Sequence, residues 1–393
     1  MKPFQHIILP LTAGLGLLAG GVAGYLKQSR QQGEAHTENN SALFSEENIA
    51  TDAFSIKLFQ QALEDGEGNI LVAPHIVSRT LSHLEILAGG KTKEALQALQ
   101  LHPSAPPRAA EPGSISLLAV DINVPRLDSA SEIISLPFSE NVPLSLSIFN
   151  GAIARFMGKN DAQYATSEMV TGRTKLLAGA VCSFQAKWDI EFQLNHSRTA
   201  DFESTSGSLP QFTQMRSRGN YRMAQADDGS WKAVALQMRS DSLVKSSPMV
   251  LIGVLPSGSA RNFAAELTPE TVDEIRKKLA TATPEDTLVE FPRLELEVRP
   301  YDMRATLRRM ELKSLFDSDT SDFSALTPQK IHLGAFIHAC EIKLRESKET
   351  RVSPQHNLDS AKNYISFSRP FLWFVTDLSS ETPIDFIGLI EEM

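Results

Sequence analysis

The sequence predicts a mixed fold of α-helices and β-strands, and three observations support that prediction. Apolar residues recur at helical spacing over residues 54–63. Apolar and charged residues alternate over 293–298, as they do in a strand with one buried face. Residues 371–375 are continuously apolar, which is typical of a buried strand. Helical and strand periodicities therefore occur in one chain.

Other periodic segments predict further elements in chain order. Leu81, Leu84 and Leu87 share one face of a helix that ends at Gly89 and Gly90. Helices are also predicted over 146–157 and 268–279, and strands over 114–124, 233–238, 249–255 and 337–344.

Composition and motifs exclude several classes of function. The net charge is -9 and the basic residues are dispersed, so we expect no nucleic-acid partner. The chain contains no Gly-x-Ser-x-Gly, His-Glu-x-x-His or Cys-x-x-Cys motif. We therefore expect a protein that is not an enzyme and that has no cofactor and no metal site.

The N-terminus predicts export from the cytoplasm. A charged start precedes an apolar, glycine-rich run over 7–26, which is the pattern of an export signal. About twenty apolar residues also just span a bilayer, so an uncleaved membrane anchor is the alternative. Residues 1–26 are assigned to this segment, 27–48 to a polar tether and 49–393 to one domain. The domain is then extracellular or periplasmic, and membrane-anchored if the segment stays uncleaved.

A long segment without helical or strand periodicity separates the strand that ends at Leu344 from the run that begins at Phe371. A connection of this length inside a compact domain is uncommon and is usually functional or disordered. This segment is therefore the best candidate for the working part of the chain.

Several stretches, in order along the chain, resemble the serpin family. In the first half of the chain they are the Asn-Ile start and the Gly, Thr and Glu end of 69–96, and the Lys-Trp, Phe, Thr and Tyr residues spread over 187–221. In the second half they are Leu-Pro at 255–256, Leu-Phe and Asp-Phe-Ser within 301–326, His-Ala-Cys-Glu-Ile at 338–342, and Phe-Ile-Gly at 386–388. The resemblance implies an α+β fold with about nine helices around three mostly antiparallel sheets and an exposed reactive-centre loop. We also expect a monomer.

The resemblance implies a function for the long segment. In serpins the loop, here 346–367, is bait for a serine or cysteine protease, and after cleavage it inserts into the main sheet as a new strand. The chain is thus expected to be a serine-type endopeptidase inhibitor. The alternative is a non-inhibitory serpin that acts as a binding or structural protein outside the cytoplasm.

The hinge of this loop departs from the family pattern, in which glycine, threonine and alanines follow a glutamate. The matching residues here are Glu346, Ser347, Lys348, Glu349, Thr350, Arg351 and Val352. Every second residue of an inserted strand faces inward, and both alternating sets contain a charge. Pro354 would also remove a hydrogen bond from a central strand. These residues argue against trapping by insertion.

The scissile bond is predicted from spacing alone. Counting forward from Glu346 gives Lys362 and Asn363, whereas counting back from Pro370 gives a bond near Asp359 and Ser360. Lys362 suits a trypsin-like protease, although a lysine in a polar segment is most often only solvated.

The resemblance also identifies the region where the main sheet opens. It comprises Ala73, Ile76, Ala180, His338 and Trp188. Ala73 and Ile76 replace two serines of the family, and Ala180 replaces the asparagine that usually contacts the histidine. His338 therefore needs another partner. A hydrogen-bonded core histidine is the plain alternative to any functional role.

Cys182 and Cys340 are the two cysteines of the chain. The expected contact between positions 180 and 338 implies that the cysteines, two residues further on, face each other across neighbouring parallel strands. They either form a disulfide that holds the sheet closed or remain two buried thiols that pack as small apolar groups.

Overall fold

The computed structural model describes residues 44–99, 101, 113–127, 133–159, 163–185, 187–239, 249–347, 358–378 and 383–393. The helices are α1 (Phe44–Asp65), α2 (Pro74–Leu87), α3 (Gly90–Gln97), α4 (Val142–Met157), α5 (Ala260–Ala265), α6 (Pro269–Thr281) and α7 (Arg304–Arg309). Short 3₁₀ helices cover Leu194–His196, Lys313–Leu315 and Leu358–Ser360.

Fourteen strands lie in the same described residues. They are β1 (Ile70–Val72), β2 (Gly113–Asp121), β3 (Ile133–Leu136), β4 (Leu176–Gln185), β5 (Arg198–Asp201), β6 (Gln211–Gln225), β7 (Trp231–Gln237), β8 (Val250–Pro256), β9 (Glu285–Pro292), β10 (Leu294–Asp302), β11 (Leu333–Leu344), β12 (Asn363–Ser366), β13 (Phe371–Thr376) and β14 (Phe386–Ile390). The predicted α+β class is confirmed.

The first sheet, which we name the main sheet, has the strand order β10-β11-β4-β2-β3. Its central pair, β11 and β4, runs parallel, while β10 and β2 flank that pair in antiparallel orientation. β11 is buried along almost its whole length because helices cover both faces of the sheet.

The second sheet joins eight strands in the order β1-β14-β13-β8-β7-β6-β9-β12, with β5 paired to β6. The predicted second and third sheets are continuous here because β6, which has 15 residues, belongs to both. Its first part pairs with β5 and β9, and its last four residues pair with β7.

Two apolar clusters enclose the main sheet. On one face, Ala180, Cys182 and Cys340 join the cluster that includes residues of α2. On the other face, Val181 and Ala339 pack with residues of α4. α4 lies very close to the sheet, since a Cβ at Gly179 would come within 3.0 Å of the Phe149 ring. The alternation of a strand thus sends successive β4 and β11 side chains to different helices.

Two boundaries differ from the sequence prediction. α1 begins at Phe44, so the last part of the predicted 27–48 tether is helical. The alternation over 293–298 predicts a strand that begins at Arg293, whereas β10 begins at Leu294 and extends to Asp302, and Arg293 separates it from β9. Residues 1–43, which hold the predicted export segment and most of the tether, lie outside the described residues.

Candidate functional site

The serpin resemblance implies that an inserted strand would enter between β4 and β11. We name this boundary the β4–β11 seam. The two strands pair without interruption from Ala335 with Leu177 to Lys343 with Gln185. The seam is closed by direct hydrogen bonds over that whole length, up to the residues that precede the candidate loop.

Trp188 binds the chain where it leaves the end of β11. Its indole nitrogen donates a hydrogen bond to the Arg345 carbonyl at 2.9 Å, and its ring packs edge-on against Phe192. The Ser347 amide then donates to the Phe192 carbonyl at 2.9 Å. The start of the loop is therefore attached to the segment after β4.

Glu346, at the start of the loop, is held by three side-chain hydrogen bonds. Arg293 contacts both of its carboxylate oxygens, from Nη2 at 2.7 Å and Nε at 2.9 Å, and the Ser197 hydroxyl donates to Oε1 at 2.6 Å. The Glu346 side chain is only 4% exposed. Burial by itself would raise the pKa of Glu346, but the hydrogen bonds from Arg293 and Ser197 outweigh it and hold the pKa below its usual value. We name Glu346, Ser347, Arg293, Ser197 and Phe192 the loop anchor.

Substituting Arg293 by Met should lower the free energy of unfolding by about 2 kcal/mol, because the buried Glu346 carboxylate would lose both of its hydrogen bonds from Arg293. Urea denaturation measures this loss. Arg345→Met is a matched control, since Arg345 pairs with Glu295 at the surface, where both side chains are nearly half exposed. A loss no larger than that of Arg345→Met would contradict the role of the loop anchor.

The far end of the loop is held by the second sheet. β12 pairs in parallel with β9, and the buried Glu290 of β9 accepts hydrogen bonds from Tyr364 and from Arg216. Just before β12, Arg216 bridges to Asp359 at 2.8 Å. The Arg218 guanidinium donates to the Ser360 hydroxyl at 2.7 Å. Charged pairs thus fix the chain from the 3₁₀ helix Leu358–Ser360 onward.

Of the candidate scissile residues, Lys362 immediately precedes β12 and Asn363 is its first residue. The Lys362 amide donates to Asp286 at 3.3 Å, and the Asn363 amide group donates to Glu285 at 2.7 Å. A protease binds its substrate in an extended form that must leave its neighbours. Cleavage after Lys362 would therefore require β12 to separate from β9, and the alternative bond near Asp359 lies in the 3₁₀ helix.

Five of the seven predicted hinge residues, Lys348, Glu349, Thr350, Arg351 and Val352, lie outside the described residues, as does Pro354.

The predicted opening region lies beneath the middle of the β4–β11 seam. Ala73 and Ile76 are fully buried at the start of α2, and Ala180 and His338 are paired across the seam. His338 Nδ1 lies 2.8 Å from the Ala180 carbonyl, and the Ala73 amide donates to Nε2 at 3.4 Å. The proton is therefore on Nδ1, and backbone groups replace the asparagine side chain that Ala180 lacks. Burial lowers the pKa of His338 to about 4, so this histidine is neutral.

Cys182 and Cys340 occupy directly paired positions of β4 and β11. Their sulfur atoms are 3.1 Å apart, and both residues are thiols in this structure. Their side chains are 0% and 1% exposed. Burial raises the pKa of the Cys182 thiol, so its reactive thiolate form is disfavoured.

Sequence reasoning missed Arg293 and Ser197, the two side chains that hold Glu346. Neither belongs to a short motif, and they lie 53 and 149 positions from Glu346. Arg293 follows Pro292 at the break between two strands, which is the one local feature that sets it apart. Among the described residues, no group of three or more His, Cys, Asp and Glu side chains could hold a metal ion.

Comparison with known proteins identifies the family of this chain. A family model described as serpin, serine protease inhibitor, matches residues 130–392. The chain belongs to the serpin family. The family description names an inhibitor of proteases and not a catalyst.

Individual relatives of this serpin are distant. Mouse Serpin B5 is 22% identical over 361 residues, which cover 83% of this chain and 94% of that protein. A crystal structure of maspin is 19% identical with a TM-score of 0.75, covering 89% of this chain and 99% of that one. Uncleaved ovalbumin is 15% identical with a TM-score of 0.78, covering 88% and 99%. These likenesses establish the serpin fold.

Proposed function

We propose that this serpin presents its loop, 346–367, to a serine-type endopeptidase as a substrate-like ligand, and that it does not trap the protease by inserting the loop. The family description supports a protease as the partner. The loop anchor supports the absence of trapping, and it is the observation on which the proposal depends. The chain would then act as a binding protein and not as an enzyme.

The loop anchor opposes insertion because insertion must begin next to it. A new strand would start beyond Glu346 and Ser347 and would draw both toward the β4–β11 seam. That movement would break the two charged hydrogen bonds from Arg293 to Glu346 and the backbone hydrogen bond from Ser347 to Phe192. Hydrogen bonds to charged groups contribute roughly 1.5–3 kcal/mol each, so their loss is a substantial cost.

The composition of the hinge opposes the next step. Lys348 belongs to one alternating set of residues, and Glu349 and Arg351 belong to the other. Whichever set faces inward, at least one charge is buried in the sheet, at a penalty of several kcal/mol for each unpaired charge.

Export from the cytoplasm is part of this proposal, and it rests on the N-terminal pattern of residues 1–26. An uncleaved segment would keep the serpin domain at the membrane surface. Within the part of the chain that the structure describes, no helix is long and apolar enough to cross a membrane. The proposal also retains the predictions of a monomer and of no nucleic-acid partner.

Incubation with trypsin tests the proposed function. We expect cuts between 346 and 361, none after Lys362, no covalent complex on a denaturing gel, and almost no change in melting temperature. A covalent complex, or a large rise in melting temperature after cleavage, would overturn the proposal. If neither trypsin nor other serine proteases bind or cut the loop, the partner is not a serine protease, and the binding-protein alternative outside the cytoplasm is favoured.

A second candidate function is inhibition by trapping, which the family description and the arrangement of the main sheet both favour. β4 and β11 run parallel and adjacent, so one antiparallel strand could in principle pair with both. The gel experiment distinguishes the two candidates, because trapping leaves the protease covalently attached.

A further inference from the structure

The pairing of Cys182 with Cys340 has a mechanical consequence for the β4–β11 seam. The two residues are directly opposite each other, one on each strand, and their sulfur atoms are in contact at 3.1 Å. Neighbouring strands lie about 4.8 Å apart. Disulfides require Cα atoms roughly 4.4–6.8 Å apart, so the backbone of the closed sheet already meets that condition.

We propose that Cys182 and Cys340 form a disulfide that joins β4 to β11 and prevents any strand from inserting between them. The cross-link is a covalent site on the main sheet, separate from the loop. Its biological consequence rests on the proposed function, because it adds a second barrier to loop insertion.

The barrier follows from the distances that insertion would require. A strand placed between β4 and β11 would move their backbones to about 9.6 Å apart, twice the ordinary strand spacing. A disulfide cannot reach across more than about 7 Å without moving the backbone. The disulfide and a strand inserted between Cys182 and Cys340 therefore exclude each other.

The position of the cross-link determines how far insertion could proceed. Cys340 lies six positions before Glu346. A strand that folds back from Glu346 would reach the cross-link after about the same number of residues, near Val352. A full-length inserted strand is blocked, and only a short stretch at the top of the sheet could open.

The chemistry is a thiol–disulfide exchange. The two thiols lose two protons and two electrons as the sulfur–sulfur bond forms, and a disulfide-bonded small molecule such as glutathione disulfide accepts them and becomes two thiols. Exchange takes place while the chain folds, before the sheet buries both side chains. Once buried, with the pKa of the Cys182 thiol raised, the pair is out of reach of ordinary exchange and its redox state persists.

Thiol counting is the first test. The full chain is refolded in a mixture of glutathione and glutathione disulfide, denatured without reductant and labelled with a thiol reagent. We expect no free thiols and one cross-linked peptide pair containing Cys182 and Cys340. Two free thiols per chain would overturn the proposal.

Peptide insertion is the second test, and it does not depend on the charged hinge of the chain. A synthetic peptide of alternating Thr and Ala serves as the inserted strand. We expect it to raise the melting temperature of the reduced protein by roughly 5 °C at one hundred times its dissociation constant. The oxidised protein should show no rise, and the Cys182→Ala/Cys340→Ala variant should behave like the reduced protein in either buffer.

Two results would overturn the cross-link as a barrier. One is an equal rise in the oxidised and reduced proteins, and the other is no rise in the reduced protein or in the variant. The proposed function fails separately, if the cleaved loop of the unaltered chain itself inserts or traps a protease.

Discussion

A cleaved loop with small hinge residues should insert into the main sheet where the natural loop does not. The variant carries Lys348→Gly, Glu349→Thr, Arg351→Ala and Pro354→Ala, and it is made in the Cys182→Ala/Cys340→Ala background. Each unpaired charge that faces inward costs several kcal/mol, and one or two of these charges face inward depending on the register, so removing all of them favours insertion by several kcal/mol. Removing the proline restores one ladder hydrogen bond.

The measurement is the melting temperature before and after a protease cuts the loop. We expect a large rise for the small-residue variant and almost none for its parent. A matched control keeps every charge, with Lys348→Arg, Glu349→Asp and Arg351→Lys, and leaves Pro354 unchanged. If that control also gains stability on cleavage, charge burial is not what prevents insertion.

His338 should make this serpin less stable in mildly acidic solution. In the unfolded chain a histidine takes up a proton near pH 6.5, whereas burial lowers the pKa of His338 in the folded chain to about 4. Between those values the unfolded state binds more protons, so stability is complete above pH 6.5 and falls as the pH falls toward 4. The loss should reach about 2 kcal/mol at pH 5 and about 3 kcal/mol near pH 4.

Urea denaturation from pH 7.5 to pH 5 measures this dependence. His83 must be replaced in parallel, because burial also lowers its pKa to about 4. His338→Gln should flatten the curve relative to its own value at pH 7.5, and His83→Gln provides the comparison. A direct NMR titration that finds His338 protonating near pH 6.5 in the folded protein would contradict the prediction, whatever the stability of the variants.

Much of the fold could be predicted because the strongest signals are local. The run over 371–375 becomes β13, and the helical spacing over 268–279 becomes most of α6, since periodic apolar residues must face a core. Boundaries were less accurate. The alternation predicted a strand that begins at Arg293, whereas β10 begins at Leu294, because β9 pairs with β6 and β10 pairs with β11 in the other sheet.

Part of the candidate site could also be predicted from the sequence, and part could not. The positions of His338 and Cys340 on one strand follow from sequence, and their neighbours Ala180 and Cys182 follow from the serpin resemblance. The hydrogen-bond partners of His338 could not be predicted from the sequence, because they are backbone groups that any residue type could supply.

The sequence by itself determined the serpin family, the main helices and strands, and the charged hinge that argues against insertion. Those features depend on residue type and spacing along the chain. Only the tertiary structure decided that Arg293 and Ser197 hold Glu346 and that the predicted scissile residues Lys362 and Asn363 are attached to the second sheet. Such contacts join residues far apart in sequence, so they produce no local sequence pattern from which they could be predicted.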